Sequence, residues 1–406
     1  MERAVVTGIG VVSPLGCTVE EFWSGLIQGR SGVVALPDDE FSGLTTRIGA
    51  LVPEFDERQY FTPKEARRMS RSSKLALAAA VQAVSDAGLI ESDFNPFEVA
   101  VIIGSSIGGY SACDPFFKGY YLHGHSSPLV IPISMNSGPA ANVSIRYGFQ
   151  GPSMAVDAAC ASSTHSIGYA LNLIRAGTAQ IVVTGGADTP FSRGVMMAWC
   201  AMRALSTRND CPAQACRPFS ADRDGLVLGE GAGILVLEAE SSARRRGCRI
   251  WAEVKGYGAT SDSYHLTQPT REGPVGAMLR ALKDAKLRPD QINCVNAHGT
   301  ATRWNDGNET AAIKEVFVAH AYEIPIVANK AALGHAIGAS GALELISCIL
   351  SLRDQIVPPT INYRIPDPEC DLDYVTTGSR RQKLDNILKN TFAFGGSNAS
   401  LIVGTH

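Results

Sequence analysis

Short runs of β-branched and aliphatic residues alternate along this chain with longer Ala-rich stretches, and glycines sit where one gives way to the other. A continuous apolar run of about four to eight residues is the pattern of a strand buried on both faces, whereas apolar positions three and four apart mark a helix with one buried side. The pattern predicts buried strands over 99–103, 181–184, 233–237, 292–295 and 399–403, and helices over 75–87, 162–176, 274–285, 308–319 and 338–353. Strands and helices in alternation belong to layered α/β folds rather than to bundles or sandwiches.

The second part of the chain repeats the theme of the first. An apolar stretch ends in Val156-Asp157-Ala158-Ala159-Cys160 and runs into a helix; later, Ile326-Val327-Ala328-Asn329-Lys330 leads through Gly334-His335 into another. Each part closes on a Gly-rich turn and an apolar strand, Gly229-Glu230-Gly231-Ala232-Gly233 and Gly395-Gly396-Ser397-Asn398. The seam falls near 241–249, giving halves 1–245 and 246–406. Duplicated halves packed together bring equivalent strand-to-helix turns to a shared interface, where pockets form. Ordinary α/β similarity without duplication also fits the pattern.

Composition narrows the function more than the fold. With 406 residues, 45% of them hydrophobic and 18% charged, and no low-complexity tract, the chain has the makings of a large packed core. A net charge of −3 gives no general attraction to nucleic acid or to an anionic membrane. Met1 to Gly8 enters a strand-like run without a secretory leader, and no stretch is apolar enough to span a bilayer, so a cytoplasmic protein is expected. The ten cysteines are scattered and lack CxxC pairs, which predicts reduced, mostly buried thiols. Cys211 and Cys216 resemble half a zinc site, but no second ligand pair lies near them in sequence.

Candidate chemistry begins at Ala158-Ala159-Cys160-Ala161-Ser162-Ser163-Thr164, a cysteine among small residues at a helix start. Free amides and the positive end of the helix dipole there favour a thiolate and supply oxyanion donors. A lone buried cysteine is otherwise inert. Two further segments, Asn296-Ala297-His298-Gly299-Thr300-Ala301-Thr302 and Lys330-Ala331-Ala332-Leu333-Gly334-His335, each place a histidine just after a strand, among small residues that let a substrate approach. Metal ligation by the histidine pair lacks a third ligand at a standard spacing.

Taken in order with Val5-Val6-Thr7-Gly8-Ile9-Gly10, Gly104-Ser105-Ser106-Ile107-Gly108-Gly109, Arg203-Ala204-Leu205-Ser206, Arg217-Pro218-Phe219 and Phe394-Gly395-Gly396-Ser397-Asn398, these segments resemble the condensing enzymes of the thiolase superfamily. The resemblance is to the β-ketoacyl-acyl-carrier-protein synthases of the type II, elongating class, and it covers nearly the whole chain. It implies a five-layered αβαβα fold with the site between duplicated halves. It also implies a dimer, either with itself or with a chain-length subunit. No cofactor is implied beyond the phosphopantetheine of an acyl-carrier protein. By the same resemblance Cys160 is the acyl-accepting nucleophile, the amides of Cys160 and Phe394 form the oxyanion hole, and His298 and His335 donate to the malonyl thioester while Lys330 tunes them.

The resemblance assigns lesser roles too. Thr300 and Thr302 hold the pantetheine arm, or else cap a local turn; Ile107, Trp199, Phe392, Phe394 and Gly395 line or gate the acyl path, or else simply pack. Asp262 and His265 lie in a second gating loop, and Asp306, Glu309 and Glu344 support the site. Equivalents of Asn296, Glu344, Asn390 and Thr391 surround a structural monovalent cation in relatives, and no catalytic metal is expected. An acidic carrier calls for a basic docking face, for which Lys64, Arg67, Arg68, Arg71, Lys74 and Arg203 are candidates, with Arg67, Arg71 and Lys74 sharing a helix face by spacing. Three departures from the housekeeping pattern leave a secondary-metabolite ketosynthase as the alternative: Lys330-Ala331-Ala332-Leu333-Gly334-His335, Phe392-Ala393-Phe394, and Trp199 where a smaller aromatic is common. A non-catalytic partner subunit is disfavoured because Cys160 and both histidines are present.

Overall fold

The computed structural model describes residues 2–53 and 56–406. Ten strands form one hydrogen-bonded sheet: β1 (Ala4–Val12), β2 (Val99–Gly104), β3 (Ser153–Val156), β4 (Ile181–Asp188), β5 (Gly231–Ala239), β6 (Ala252–Ser261), β7 (Cys294–Asn296), β8 (Ile326–Val327), β9 (Asn386–Phe392) and β10 (Ser397–Gly404). Their spatial order is β8-β7-β9-β10-β6-β1-β5-β4-β2-β3. Read outward from the centre, the first half runs β1-β5-β4-β2-β3 and the second β6-β10-β9-β7-β8, so each strand has a counterpart five strands later. Directions repeat as well, with two antiparallel pairings near the centre followed by two parallel ones. The halves join where Ala4–Val6 of β1 pair antiparallel with Ala252–Val254 of β6.

The principal helices are α1 (Arg71–Asp86), α2 (Ser162–Arg175), α3 (Arg193–Met202), α4 (Glu272–Ala285), α5 (Arg303–Phe317) and α6 (Ser340–Asp354). Helix α1 covers β1 and β5, and its counterpart α4 covers β6 and β10. Helices α2 and α6 touch each other and strands of both halves, which makes them the middle layer of an αβαβα stack. Close packing of the outer helices depends on paired glycines. A Cβ on Gly8 or Gly10 of β1 would lie 2.1 and 2.0 Å from the carbonyl oxygens of Ala83 and Ala79 on α1. One on Gly256 or Gly258 of β6 would lie 2.5 and 2.1 Å from those of Ala281 and Ala277 on α4. The duplication therefore reaches individual backbone contacts.

Most predicted elements appear with shifted ends. The strand expected over 292–295 is Cys294–Asn296, and the helix expected over 308–319 begins at Arg303 because the Thr302 side chain accepts from the Asn305 amide and starts it early. Helix α6 is buried from Ser340 to Leu352, the behaviour of a central helix with no wet face. The basic segment 64–74 is not one helix. Ser70 caps a new helix by accepting from the Ser73 amide, so Arg67 ends the short turn Pro63–Ala66 and does not share a helix face with Arg71 and Lys74. Among the described residues no helix is long and apolar enough to cross a membrane.

Candidate active site

The turn from β3 into α2 is tight, and its backbone is held by polar groups. Ser162 Oγ accepts from the Ala158 amide at 2.9 Å and donates to the Ala159 carbonyl at 2.6 Å, while Ala159 sits at φ +48°. A non-glycine residue there costs about 1–3 kcal/mol, and such strain persists only where surroundings enforce it. The result tips Cys160, only 7% exposed, to the mouth of α2. The two histidine loops carry the same mark, with Ala301 at φ +62° and Ile337 at φ +45°. Strain thus gathers on all three loops that meet here.

Cys160 Sγ lies 3.1 Å from His335 Nε2, and the His298 and His335 rings stand nearly perpendicular with centroids 5.4 Å apart. The surrounding donors decide which ring nitrogen holds each proton. His335 Nδ1 accepts from the Ile337 amide at 3.1 Å, with Ser340 Oγ also 3.0 Å away, so its hydrogen is on Nε2, facing Cys160. His298 Nδ1 faces the Lys330 ammonium at 3.2 Å, which likewise leaves its hydrogen on Nε2. Lys330 has no donor to spare, since its other two N–H groups go to the His298 carbonyl at 2.7 Å and to Glu344 Oε1 at 2.5 Å. Both imidazoles are therefore donors beside one sulfur.

Burial supplies the electrostatic setting. It holds His298 well below the ordinary imidazole range, helped by Lys330, His335 and Lys389, and holds His335 there too, helped by Lys330 and Lys389. The thiol of Cys160 is pushed up to about 11 by burial, opposed by the Lys330 charge and by the amides of Phe394 and Cys160 itself. Two buried carboxyls shape the His298 loop: Glu309 accepts from the amides of His298 and Gly299 at 2.8 and 2.9 Å, and Asp306 from those of Thr300 and Phe219 at 3.1 and 2.8 Å. Burial raises both, Glu309 to about 7, against those same amides.

Above the triad opens a cavity of about 530 Å³, of ordinary size for a small-molecule site. Cys160, His298, His335, Thr300, Thr302, Trp199, Phe392 and Phe394 all line it, and Trp199 stacks on Phe394 with centroids 6.0 Å apart. The Phe394 turn and the loop bearing Asp262 and His265 are fastened together, with Gly395 N donating to Leu266 O at 2.7 Å and Asp262 N to Gly396 O at 2.8 Å.

Residues 1–243 match the family described as Beta-ketoacyl synthase, N-terminal domain, and residues 251–364 match Beta-ketoacyl synthase, C-terminal domain. The 3-oxoacyl-[acyl-carrier-protein] synthase 2 of Synechocystis sp. is 40% identical over 98% of this chain and 97% of its own. The chain belongs to the β-ketoacyl synthase family. Among solved structures, the ishigamide ketosynthase/chain length factor superposes with a TM-score of 0.94 at 35% identity, over 100% of this chain and 99% of that one. A type II polyketide ketosynthase solved with its acyl-carrier protein gives 0.93 at 32% identity, over the whole of both chains. This ketosynthase is thus an acyltransferase with the thiolase-like αβαβα fold, and its reaction class is decarboxylative Claisen condensation.

Several expectations need correcting. Ile107 and Gly395 do not line the cavity. Ile107 packs in an apolar cluster with Trp199, Met196 and Ile337, and Gly395 turns the backbone at φ +81°. Thr300 and Thr302 face the cavity and bond each other at 2.8 Å, and Thr302 caps α5 as the turn-capping reading expects. Of the basic candidates, Arg71 is tied to buried Glu230 at 2.6 Å and Lys74 to Glu57 at 2.8 Å; Lys64, Arg67 and Arg68 stay exposed, and Arg203 stands at the cavity rim. The spacing argument against a metal misses that Cys160 is the third group: its sulfur and the nearest imidazole nitrogens all lie within 4.8 Å of one another. Ligation would still require both Nε2 atoms to lose hydrogens that Lys330 and the Ile337 amide place there.

The residues do not fit a monovalent cation at Asn296, Glu344, Asn390 and Thr391. The Lys389 ammonium already stands between Glu344 and Thr391, and Asn390 Oδ1 accepts from Ser400 at 2.7 Å. Asn296 donates to Asn329, and only its Oδ1 is left without a hydrogen-bond partner among these four residues' amide oxygens. Lys389, Ser340 and Asp188 are absent from the expected site. Asp188 accepts from the amides of Ser106, Ile107 and Gly338 at 3.0 to 3.2 Å, joining the Ile107 loop to the turn after His335. A carboxylate closing an otherwise almost wholly apolar strand is the signal that would have found Asp188, whereas Lys389 shares its strand with Asn386, Asn390 and Thr391 and carries no such signal.

Proposed function

We propose that the ketosynthase stores an acyl group on Cys160 and condenses it with malonyl-acyl-carrier protein to give a β-ketoacyl-carrier product. The observation that supports this most directly is the pair of Nε2–H imidazoles beside the sulfur. In the first stage Cys160 sulfur attacks the donor thioester carbonyl while the amides of Cys160 and Phe394 hold the oxyanion. The carrier thiol departs with the proton that Cys160 gives up. In the second, the malonyl carboxylate leaves as carbon dioxide, its bonding electrons become a thioester enolate, and His298 and His335 donate to the enolate oxygen. The enolate carbon attacks the acyl carbon, the bond to Cys160 breaks, and the thiolate is reprotonated from solvent.

His298→Ala and His335→Ala are each expected to slow malonyl decarboxylation about 10²–10³-fold, the range for losing one oxyanion donor, while leaving measurable acylation of Cys160. Unchanged decarboxylation in both variants removes them from the mechanism. The sign of the pH effect follows from their burial. The donating form is neutral, and its pKa lies below the ordinary 6.5, so activity falls only as pH drops through the depressed value. A histidine inflection at or above 6.5 in the decarboxylation profile counts against this arrangement.

The repeating strand order supports reading 1–245 and 246–406 as the two halves, the first supplying Cys160 and the second both histidines and Lys330. Substrates arrive on phosphopantetheine, with no other cofactor, and Lys64, Arg67, Arg68 and Arg203 offer positive charge to an acidic carrier. Primary fatty-acid elongation is the main reading. The alternative, a type II secondary-metabolite pathway with a homodimer or a chain-length partner, draws support from the Trp199 and Phe394 stack, which fills space along the acyl path. Trp199→Ala should shift donor preference towards longer acyl chains by about tenfold or more in kcat/KM, the scale set by one or a few methylenes. An unchanged chain-length profile separates Trp199 from specificity. A product assay across donor lengths with this chain alone tests both catalysis and partner dependence.

A further inference from the structure

Lys389 takes no part in the chemistry above, yet its side chain is 0% exposed. It stands in β9, a strand buried at every position. Burying an ammonium is costly unless an anion and hydrogen-bond acceptors meet it. Here three oxygens do so: Glu344 Oε2 at 3.1 Å, Thr164 Oγ1 at 3.2 Å, and Thr391 Oγ1 in direct contact. The two threonine hydroxyls are themselves 2.7 Å apart. This is the surrounding a dehydrated monovalent metal ion would want, a carboxylate and neutral hydroxyls converging on one point.

The same ammonium touches each element that carries the site. Thr164 lies on α2, one turn beyond Cys160; Glu344 lies on α6 and gives its other oxygen to Lys330 at 2.5 Å, which faces His298 Nδ1 at 3.2 Å; and β9 itself runs on to Phe392 and the Phe394 turn. We propose that the Lys389 ammonium is a built-in replacement for a bound monovalent cation, a positioning residue that holds Glu344, and through it Lys330 and His298, in register with the Cys160 helix. Without that charge Glu344 has one cationic partner in place of two, and Lys330 is drawn towards the vacated oxygen and away from His298. The imidazole then loses the neighbour that keeps its hydrogen on Nε2.

The proposal rests on the ketosynthase reading for its kinetic consequence but not for its cation chemistry, and two variants exploit the difference. Lys389→Met keeps the volume and removes the charge; Lys389→Ser opens space beside Glu344. Both are compared with the unmodified chain in potassium, ammonium and choline chloride at equal ionic strength, reading thermal midpoint, malonyl decarboxylation and acylation of Cys160. The unmodified chain should show no preference among the cations. Lys389→Met should lose about tenfold or more in decarboxylation kcat with little change in KM, a loss no salt restores. Lys389→Ser should gain thermal midpoint and recover decarboxylation in potassium or ammonium but not in choline. Decarboxylation at the unmodified rate in Lys389→Met overturns the proposal, as does a Lys389→Ser midpoint indifferent to the cation. Should Lys389→Met fail to fold, the cation dependence of Lys389→Ser decides alone. Should even the unmodified chain fail to decarboxylate malonyl-carrier, the function falls while the midpoint comparison still judges Lys389.

Discussion

Cys160→Ala is expected to take up no acyl group at all and to lose condensation by about a thousandfold or more, because among the described residues Cys160 is the thiol grouped with the two imidazoles. The substitution removes one sulfur from a buried small-residue turn, and the strained Ala159 backbone and its Ser162 bonds remain. The fold should therefore persist, and so should decarboxylation of malonyl-carrier, since His298 and His335 keep their partners. Intact-protein mass spectrometry after exposure to an acyl-carrier donor reads the first outcome, and carbon dioxide release reads the second. An acylated variant, or one that still condenses at the normal rate, contradicts the assignment of Cys160.

The second large effect is on stability. Glu344 is the one carboxylate between Lys330 and Lys389, and all three side chains are at most 1% exposed. Glu344→Leu leaves two buried ammonium groups facing each other without an anion. Removing one partner of a buried ion pair costs about 3–5 kcal/mol, and the loss here should reach that range in urea unfolding. Glu344→Gln retains an acceptor of the same shape and should cost less, though it strips the negative charge that both lysine side chains contact. An unfolding midpoint unchanged in Glu344→Leu would mean that the lysines are satisfied in some other way.

The two predictions probe different sources of legibility. Cys160, His298 and His335 are marked out as candidates by small neighbours, a strand end or a helix start, which are local properties, but their roles and that of Lys330 were legible only through the resemblance of the ordered motifs to a known family. The turn at Ala158 to Ser162 is nearly determined by its own hydroxyl and amide groups. The helix break at Ser70 was also locally encoded, in a serine placed to cap the Ser73 amide, and a reading by charge spacing alone passes over it.

Other features have no local signature. Ile107 was expected on the acyl path, and whether its side chain faces a cavity or a neighbouring cluster depends on Trp199 and Ile337, far away in sequence. Lys389 reads in isolation as a solvated lysine. Its burial follows from β9 lying inside the sheet and from Glu344 arriving on α6 beneath it.

The order of apolar runs and glycine turns was enough to indicate the layered α/β class and a candidate duplication, because those follow from side-chain periodicity and backbone sterics acting over a few residues. The roles of Cys160, His298 and His335 came from the family resemblance of their motifs. Only the assembled chain decided which nitrogen of each imidazole carries its hydrogen, that Cys160 stands 3.1 Å from His335, and that Lys389 stands between Glu344 and Thr391. Hydrogen-bond direction and buried charge pairing are set by groups brought together from opposite halves, and separation along the sequence holds no information about them.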